Sequence, residues 1–281
     1  MNYRFANIVL SLCLFIVGTH SLKPVLLMHG FALSTTAGTY HDWNHYVSWL
    51  NQSNPDQIIY DVNQLIQGII ANNDNFSQGF HIVAHSQGAL LMRSVIEMYG
   101  LNVDTFVSLA GVHNGIYGLG PLDQYPWLEN LTDFELTEIF YTPTMQQGFS
   151  VANWWNCAVS RDRYLENNVF LPMINQEIEN NTIANYKTNF LASIKGSLHA
   201  FGSPQDGIVT PWNSELFGFF DDQLFMKSMN ETYSYINDSY GLRTLDSQGK
   251  LFLYQIDNVK HAEWLSRQDL FEQYVLPLIS K

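Results

Sequence analysis

The sequence predicts an α/β fold, in which helices cover both faces of a mostly parallel sheet and a helical lid is inserted. Three observations carry this prediction. Short apolar runs alternate with segments of helical periodicity, one run ends in a serine-containing turn that opens a helix, and an aromatic-rich stretch interrupts the alternation. Strands buried on both faces are typically apolar throughout, and their alternation with helices favours a parallel sheet.

Strands are predicted where short apolar runs meet turn-forming residues. The first run ends at His29-Gly30, where glycine permits a tight turn, and the third ends at His85-Ser86. The fourth run begins shortly after Gly100, and the last run precedes the turn Asp257-Asn258. The six predicted strands occupy residues 24–28, 57–60, 80–84, 103–110, 197–201 and 251–256.

Helices are predicted where apolar residues recur every three or four positions. Residues 40–50 have this spacing, and in residues 89–99 it places Leu90, Leu91, Val95 and Met98 on one face. Gly100 follows the second helix, at the position where a C-cap glycine is expected. Two further helices are predicted at residues 65–71 and 264–276.

The alternation stops between about residues 111 and 190, where aromatic residues are dense. We expect this stretch to form a lid inserted into the sheet fold, although its aromatic residues also fit a small core of its own. No repeat or charged linker divides the rest of the chain. Residues 22–281 are therefore expected to form a single domain that carries the insertion.

The first 21 residues have the layout of a secretory signal peptide. Arg4 precedes an apolar run at residues 5–17, which is shorter than the roughly 20 residues of a membrane span, and the small residues Thr19 and Ser21 follow. An uncleaved N-terminal anchor is the alternative. Cleavage would remove Cys13 and leave Cys157 as a thiol expected to be buried, with no internal disulfide.

Six glycosylation sequons fit the same secretory route, with a lysosome or the medium as destination. They begin at Asn51, Asn75, Asn130, Asn180, Asn230 and Asn237.

The formal charge is −13, and it becomes −14 after removal of residues 1–21, which contain one arginine and no acid. Such a chain repels phosphate backbones, so nucleic-acid binding is excluded. No cluster of histidine, cysteine and carboxylate residues has metal-ligand spacing, and therefore no metal or organic cofactor is expected. We expect a monomer without a stable membrane span.

The strand, the turn Ala84-His85-Ser86-Gln87-Gly88 and the helix that follows have the pattern of a nucleophile elbow, which predicts the α/β-hydrolase fold. Small residues are needed two positions before and after the serine, because strand and helix approach each other closely there. Ala84 occupies a position that is usually glycine. Ser86 is the candidate nucleophile, and the alternative is an ordinary helix-capping serine.

A serine nucleophile needs a base and an orienting acid, which in this fold follow it in the order serine, acid, histidine. Asp206 lies in a turn-rich loop after the fifth strand and is the candidate acid, although an ordinary Asp-Gly turn is the alternative. His261 lies in the loop after the last strand and is the candidate base. His199 falls within a strand and precedes Asp206, and His113 fits a structural role better.

The tetrahedral intermediate requires two backbone N–H donors. One comes from the residue after the nucleophile, Gln87, and the other from the loop after the first strand, where Gly30 allows the amide of Phe31 to turn inward. A merely structural turn at Gly30 is the alternative.

The chain also resembles the palmitoyl-protein thioesterase family, and most of all its second lysosomal branch. The resemblance extends along nearly the whole mature chain, and the run Pro-Trp-x-Ser with Phe-Gly-Phe at residues 211–220 is its most specific part. The chain departs from the family's pattern in lacking cysteines suited to disulfides and in having NWWNCAVSRD in the insertion. Three of the stretches that carry the resemblance are HIVAHSQGALLMRSVIE, GSPQDGIVTPWNSELFGFF and SYGLRTLDSQGKLFLYQ.

The resemblance implies hydrolysis of long-chain acyl thioesters, such as palmitoyl-CoA or S-palmitoylated proteins and peptides, in lysosomes. By position, the family's nucleophile, acid and base fall on Ser86, Asp206 and His261. Two alternatives stay open: an oxygen-ester lipase or carboxylesterase with the same triad, and a catalytically silent lipid-binding protein. A structural glycoprotein has no positive feature in its favour.

Overall fold

A six-stranded sheet forms the centre of the protein in a computed structural model that describes residues 22–28, 43–54, 59–61, 74–118, 131–178 and 185–280. Its strand order is β2-β1-β3-β4-β5-β8, and every neighbouring pair is parallel. β6 and β7 form a separate antiparallel hairpin. In chain order the strands are β1 Val25–Met28, β2 Ile59–Asp61, β3 Phe80–His85, β4 Val103–Leu109, β5 Ile194–Gly202, β6 Phe219–Phe220, β7 Met226–Lys227 and β8 Leu251–Gln255.

Helices lie between and after the strands. The α-helices are α1 Asn44–Ser53, α2 Gln87–Tyr99, α3 Asp133–Phe140, α4 Pro143–Gly148, α5 Arg161–Asn167, α6 Leu171–Ile174, α7 Tyr186–Ser193, α8 Tyr233–Ile236, α9 Leu242–Ser247, α10 Gln268–Leu270 and α11 Leu276–Ile279. A π-helical turn, Phe271–Val275, joins α10 to α11. Tighter 3₁₀ turns occur at Asp74–Phe76, Ser150–Trp154, Trp212–Leu216, Met229–Glu231 and His261–Leu265.

Each face of the sheet is buried by different helices, because successive strand residues point to opposite sides. Leu26 and Ile82 belong to a core that includes Met92 and Ile96 of α2. The neighbouring residue Val83 belongs to the opposite core, which includes side chains of α1 and of the C-terminal helices. Covering on both faces explains why β1 is apolar at every position, with sequence VLLM.

The chain between β4 and β5 has a core of its own around the buried Trp155. The indole N–H of Trp155 donates to Thr137 Oγ1 at 3.0 Å. The Gln146 amide donates to the carbonyl oxygens of Phe140 and Ala152 at 2.9 and 2.8 Å, which ties α3 to the turn Ser150–Trp154. Helices α3 to α6 therefore form a packed unit, and its role as a lid stays a prediction. Cys157 lies buried in this unit as a free thiol, as expected.

The predicted α/β-hydrolase fold is confirmed. The strands expected at residues 24–28, 57–60, 80–84, 103–110, 197–201 and 251–256 correspond to β1, β2, β3, β4, β5 and β8. The helix expected at residues 89–99 is α2, and Gly100 caps it with φ +68°. The helix expected at 40–50 is α1 and extends to Ser53. The residues numbered 1–21, 40–42 and 65–71, with their predictions, lie outside the described residues.

The prediction of a helix at residues 264–276 is wrong at both ends. Trp264 belongs to the 3₁₀ turn His261–Leu265, the chain is extended at Arg267 with ψ 105°, and the helical segment runs from Gln268 to Ile279. Trp264 is buried in the same core as the helix. Its position in the sequence therefore matches the helical spacing, although it lies outside the helix. Pro277 has no N–H to donate to the preceding turn, which suits the π-helical turn just before it.

No helix in the described ranges is long and apolar enough to cross a membrane.

Candidate active site

Ser86 lies in the sharp turn between β3 and α2. Its backbone has φ 56° and ψ −130°, a region that costs a non-glycine residue about 1–3 kcal/mol. The Ser86 N–H donates to the carbonyl of Leu109 at the end of β4, at 2.9 Å, and the residue is 6% exposed. Ala84, in the place usually taken by glycine, is fully buried. The turn is therefore a strained elbow held by the neighbouring strand.

Asp206 lies in the loop after β5 and is buried. Its Oδ1 accepts the backbone N–H groups of Ile208 and Val209 at 2.9 and 2.8 Å, and its Oδ2 accepts His261 Nδ1–H at 2.7 Å. Burial acts to raise the pKa of Asp206, but the hydrogen bond and charge of His261 and the two N–H groups outweigh it. The net effect lowers the pKa, so the group is a carboxylate at neutral pH.

His261 lies in the loop after β8, and backbone contacts fix that loop against the Asp206 loop. The His261 N–H donates to the Asp206 carbonyl at 3.0 Å, and the Asn258 N–H donates to Gln205 Oε1 at 2.7 Å. Because Nδ1 carries the proton that binds Asp206, Nε2 is left as the basic atom of the ring. The side chain is 14% exposed, so it is reachable from outside.

His85, the residue before Ser86, also contacts His261. Its Nε2–H donates to the His261 carbonyl at 2.9 Å, and the two rings have centroids 4.6 Å apart. Burial and then the nearby His261 charge lower the pKa of His85 to about 3, so this histidine is neutral. The structure thus brings His261 to the end of the strand that leads into Ser86. The described contacts include no hydrogen bond between the Ser86 hydroxyl and His261.

Glu215 is a neighbour of this group that the sequence argument missed. It lies in the turn Trp212–Leu216, is fully buried, and accepts the Ser203 N–H at 2.8 Å. A carboxylate oxygen of Asp206, a carboxylate oxygen of Glu215 and a ring nitrogen of His261 all lie within 4.8 Å of one another. The sequence marked this residue only as the one acid in the mostly apolar stretch at residues 211–220.

Three such side chains could hold a metal ion, but hydrogen bonds already occupy most of their oxygen and nitrogen atoms. Asp206 Oδ2 and His261 Nδ1 bind each other, Asp206 Oδ1 accepts two N–H groups, and Glu215 Oε2 accepts another. The arrangement therefore has the donor and acceptor pattern of a proton-transfer site.

Gln87, the first residue of α2, is buried, with its backbone at the helix N-terminus. Phe31, the other predicted oxyanion donor, lies outside the described residues.

His113 is buried, contacts Ser108 Oγ at 2.8 Å and stacks on Phe217. His199 contacts Ser197 and Tyr254 along the sheet. His113 fits the structural role expected of it, and His199 lies within a strand, as predicted.

The sequence matches the model of the family described as palmitoyl protein thioesterase over residues 24–261. It is 30% identical to lysosomal thioesterase PPT2 of Homo sapiens over 278 residues, covering 92% of this chain and 89% of the relative. It is 29% identical to the lysosomal thioesterase PPT2 homolog of Drosophila melanogaster, covering 97% of each chain. Palmitoyl-protein thioesterase 3 of Dictyostelium discoideum is 30% identical and is matched over 89% of each chain.

Among solved structures, a bromoperoxidase from Bacillus anthracis is 14% identical, with a TM-score of 0.45 and 92% of each chain covered. The family model spans most of the chain, and the relatives match it over nearly their whole length. The chain therefore belongs to the palmitoyl protein thioesterase family and is an acyl thioester hydrolase.

Proposed function

We propose that the protein hydrolyses long-chain fatty acyl thioesters, such as palmitoyl-CoA and S-palmitoylated proteins or peptides, through an acyl-enzyme on Ser86. The observation that carries the proposal is the hydrogen bond of 2.7 Å between His261 and Asp206. This pair lies beside His85, at the strand end that leads into the strained serine turn. Membership of the thioesterase family supports the same chemistry.

In the proposed first step, His261 Nε2 takes the Ser86 proton while the hydroxyl oxygen attacks the thioester carbonyl. Asp206 holds the imidazole in the tautomer that leaves Nε2 basic, and its charge stabilises the imidazolium that forms. The lowered pKa of Asp206 supports this role, because the acid has to stay ionised. The backbone amides of Gln87 and Phe31 would stabilise the oxyanion.

Collapse of the tetrahedral intermediate breaks the carbon–sulfur bond and leaves the acyl group on Ser86. A thiol has a pKa near 8.5 and leaves readily, so the leaving group depends little on protonation. The proton held by His261 passes to the departing thiolate, which leaves as the thiol. The neutral His261 then takes a proton from a water molecule, which attacks the acyl-enzyme and releases the fatty acid.

Recognition of a long acyl chain requires an apolar surface, and we assign it to the aromatic-rich insertion at residues 111–190, acting as a lid. Each buried methylene contributes roughly 0.8 kcal/mol, so a palmitoyl chain gains far more binding energy than a short acyl group. The proposed preference for long chains follows from this length dependence.

The protein is proposed to follow the secretory pathway to a lysosome or the medium, and to act as a monomer. Several relatives are named lysosomal thioesterases. Of the six sequons, the four that the structure describes begin at exposed asparagines, which a glycosyltransferase can reach. They begin at Asn51, Asn75, Asn230 and Asn237.

The test compares the wild-type protein with Ser86→Ala on palmitoyl-CoA, measuring released CoA. Ser94→Ala is the matched control, since Ser94 lies on α2 and donates only to the Leu91 carbonyl among the described contacts. Ser86→Ala should lose essentially all activity while Ser94→Ala keeps it. Hydrolysis by Ser86→Ala at the wild-type rate would refute the proposal.

The leaving group is tested with a matched pair of palmitoyl substrates. The wild-type kcat/KM should be higher for palmitoyl-CoA than for nitrophenyl palmitate. A clear preference for the nitrophenyl ester would instead identify an oxygen-ester hydrolase with the same catalytic groups.

A further inference from the structure

Glu215 is held firmly next to the acid of the proposed triad. It lies in the turn Trp212–Leu216, and its Oε2 accepts the N–H of Ser203, the first residue after β5. A side chain at Gly202 would approach Glu215 Oε2 to 2.8 Å and Glu215 Cβ to 2.9 Å. Glycine at that position therefore lets the carboxyl group sit directly against the end of the strand that delivers Asp206.

Two carboxyl groups this close cannot both be ionised at low cost. The Glu215 carboxyl is fully buried. One of its oxygens lies within 4.8 Å of a carboxylate oxygen of Asp206 and of a ring nitrogen of His261. Its Oε1 receives no hydrogen bond from any described residue. A buried oxygen without a donor is satisfied when it carries the proton itself and donates it to a neighbouring acceptor.

Asp206 is the carboxylate of this pair, since it accepts three hydrogen bonds from His261, Ile208 and Val209. Glu215 accepts one. Asp206 and His261 are titratable groups that face Glu215, and its own turn contains no other. Burial and then the Asp206 charge raise the pKa of Glu215 well above its usual value, in agreement with this assignment of the proton.

We propose that Glu215 is a positioning residue, a neutral carboxylic acid that donates a hydrogen bond to Asp206 and thereby fixes and tunes the acid that orients His261. The inference rests on the proposed function of Ser86, Asp206 and His261. The hydrogen bond from Glu215 partly neutralises the negative charge of Asp206. Asp206 then attracts the proton of His261 less strongly. We therefore expect the acidic limb of the activity profile to lie at lower pH with Glu215 than without it.

Two substitutions separate this role from the alternatives. Glu215→Gln keeps an acceptor for the Ser203 N–H and a neutral donor toward Asp206, whereas Glu215→Ala removes both. Glu215→Gln should keep the wild-type pH profile of kcat/KM for palmitoyl-CoA. Glu215→Ala should lower kcat by about 10-fold or more and move the acidic limb of the profile about one unit to higher pH. Glu272→Gln, at an exposed acid, is the control.

Two results would overturn the proposal. If Glu215 were ionised, Glu215→Gln would remove a negative charge near the base and move the acidic limb to lower pH. If Glu215 only filled space, a folded Glu215→Ala protein would keep the wild-type kcat and acidic limb.

A measurement without substrate covers the case in which Glu215→Ala does not fold. The infrared difference spectrum between wild-type and Glu215→Gln proteins at pH 7 should contain the C=O band of one protonated carboxylic acid. A carboxylate band in its place would overturn the proposal. This readout stands even if palmitoyl-CoA proves not to be a substrate, so failure of the proposed function and failure of this inference are distinguishable.

Discussion

The imidazole rings of His85 and His261 lie against each other, with centroids 4.6 Å apart and His85 Nε2 2.9 Å from the carbonyl oxygen of His261. This contact joins the strand that leads into Ser86 to the loop that carries the proposed base. His85 has no role in proton transfer here, because its lowered pKa of about 3 keeps it neutral. Its contribution is to hold the loop.

Substitution of His85 should therefore reduce turnover without removing a reacting group. His85→Ala loses the hydrogen bond and the ring contact, and kcat for palmitoyl-CoA should fall about 10-fold with little change in KM. His85→Gln keeps a donor at a similar position and should recover part of the loss. Wild-type kcat in a folded His85→Ala protein would show that the contact does not position His261.

Asp206→Asn tests the orienting role of the acid. An amide can present its N–H to His261 Nδ1, which favours the wrong tautomer and protonates Nε2. We expect kcat to fall by about 10³- to 10⁴-fold, with the fold retained, as measured by steady-state kinetics and circular dichroism. A loss below about 10-fold would mean that Asp206 does not orient the base.

His81 makes stability depend on pH. It is fully buried on β3, and burial lowers its pKa to about 4, with Asp104 opposing and Lys23 adding to the effect. In the unfolded chain His81 becomes protonated below pH 6.5, whereas in the folded protein it stays neutral down to about pH 4. This single group therefore removes about 3 kcal/mol from the free energy of unfolding between pH 6.5 and 4.

Urea unfolding at pH 7, 5.5 and 4 measures this effect by comparing wild-type protein with His81→Leu. As the pH falls, the free energy of unfolding of the variant should decrease by about 3 kcal/mol less than that of the wild type. Other buried histidines act equally in both proteins, so the difference isolates His81. Parallel pH dependences would contradict the lowered pKa.

Arg93 connects the helix that follows Ser86 to the insertion. It is fully buried on α2 and donates to the His113 carbonyl at 3.1 Å and to Asn175 Oδ1 at 2.7 Å. Arg93→Met would leave these acceptors without their donor and Glu97, 3.5 Å away, without its partner. We expect a loss of about 3–5 kcal/mol in the free energy of unfolding.

The control for Arg93 is Arg243→Met, at an exposed arginine that donates to the Ile236 carbonyl. This substitution should change the free energy of unfolding by less than about 1 kcal/mol in the same denaturant titration. Equal losses in the two variants would show that burial of Arg93 has no special importance.

The strands and the serine turn were predictable because they depend on local signals. Apolar runs marked the central strands, and small residues around Ser86 marked the elbow. Asp206 and His261 were selected by their order along the chain and by their positions after strands, and a hydrogen bond joins them. Their catalytic roles, and those of Gln87 and Phe31, stay predictions.

Glu215 and His85 were not predictable, because their importance depends on contacts between distant loops. Glu215 reaches the site only because the turn Trp212–Leu216 packs on the end of β5, which no local pattern reveals. The error at Trp264 has a similar cause, since a tryptophan buried from a 3₁₀ turn has the same apolar signal as one on a helix. The hairpin of β6 and β7 has two-residue strands, too short for a periodic signal.

Covalent labelling with a fluorophosphonate probe tests the central claim most directly, because the probe reacts with an activated serine. Peptide mass spectrometry should find the adduct on Ser86 in the wild-type protein, with no adduct in Ser86→Ala and strongly slowed labelling in His261→Ala. Palmitoyl-CoA added beforehand should slow labelling of the wild type. Rapid labelling at another serine, with Ser86 unmodified, would contradict the account.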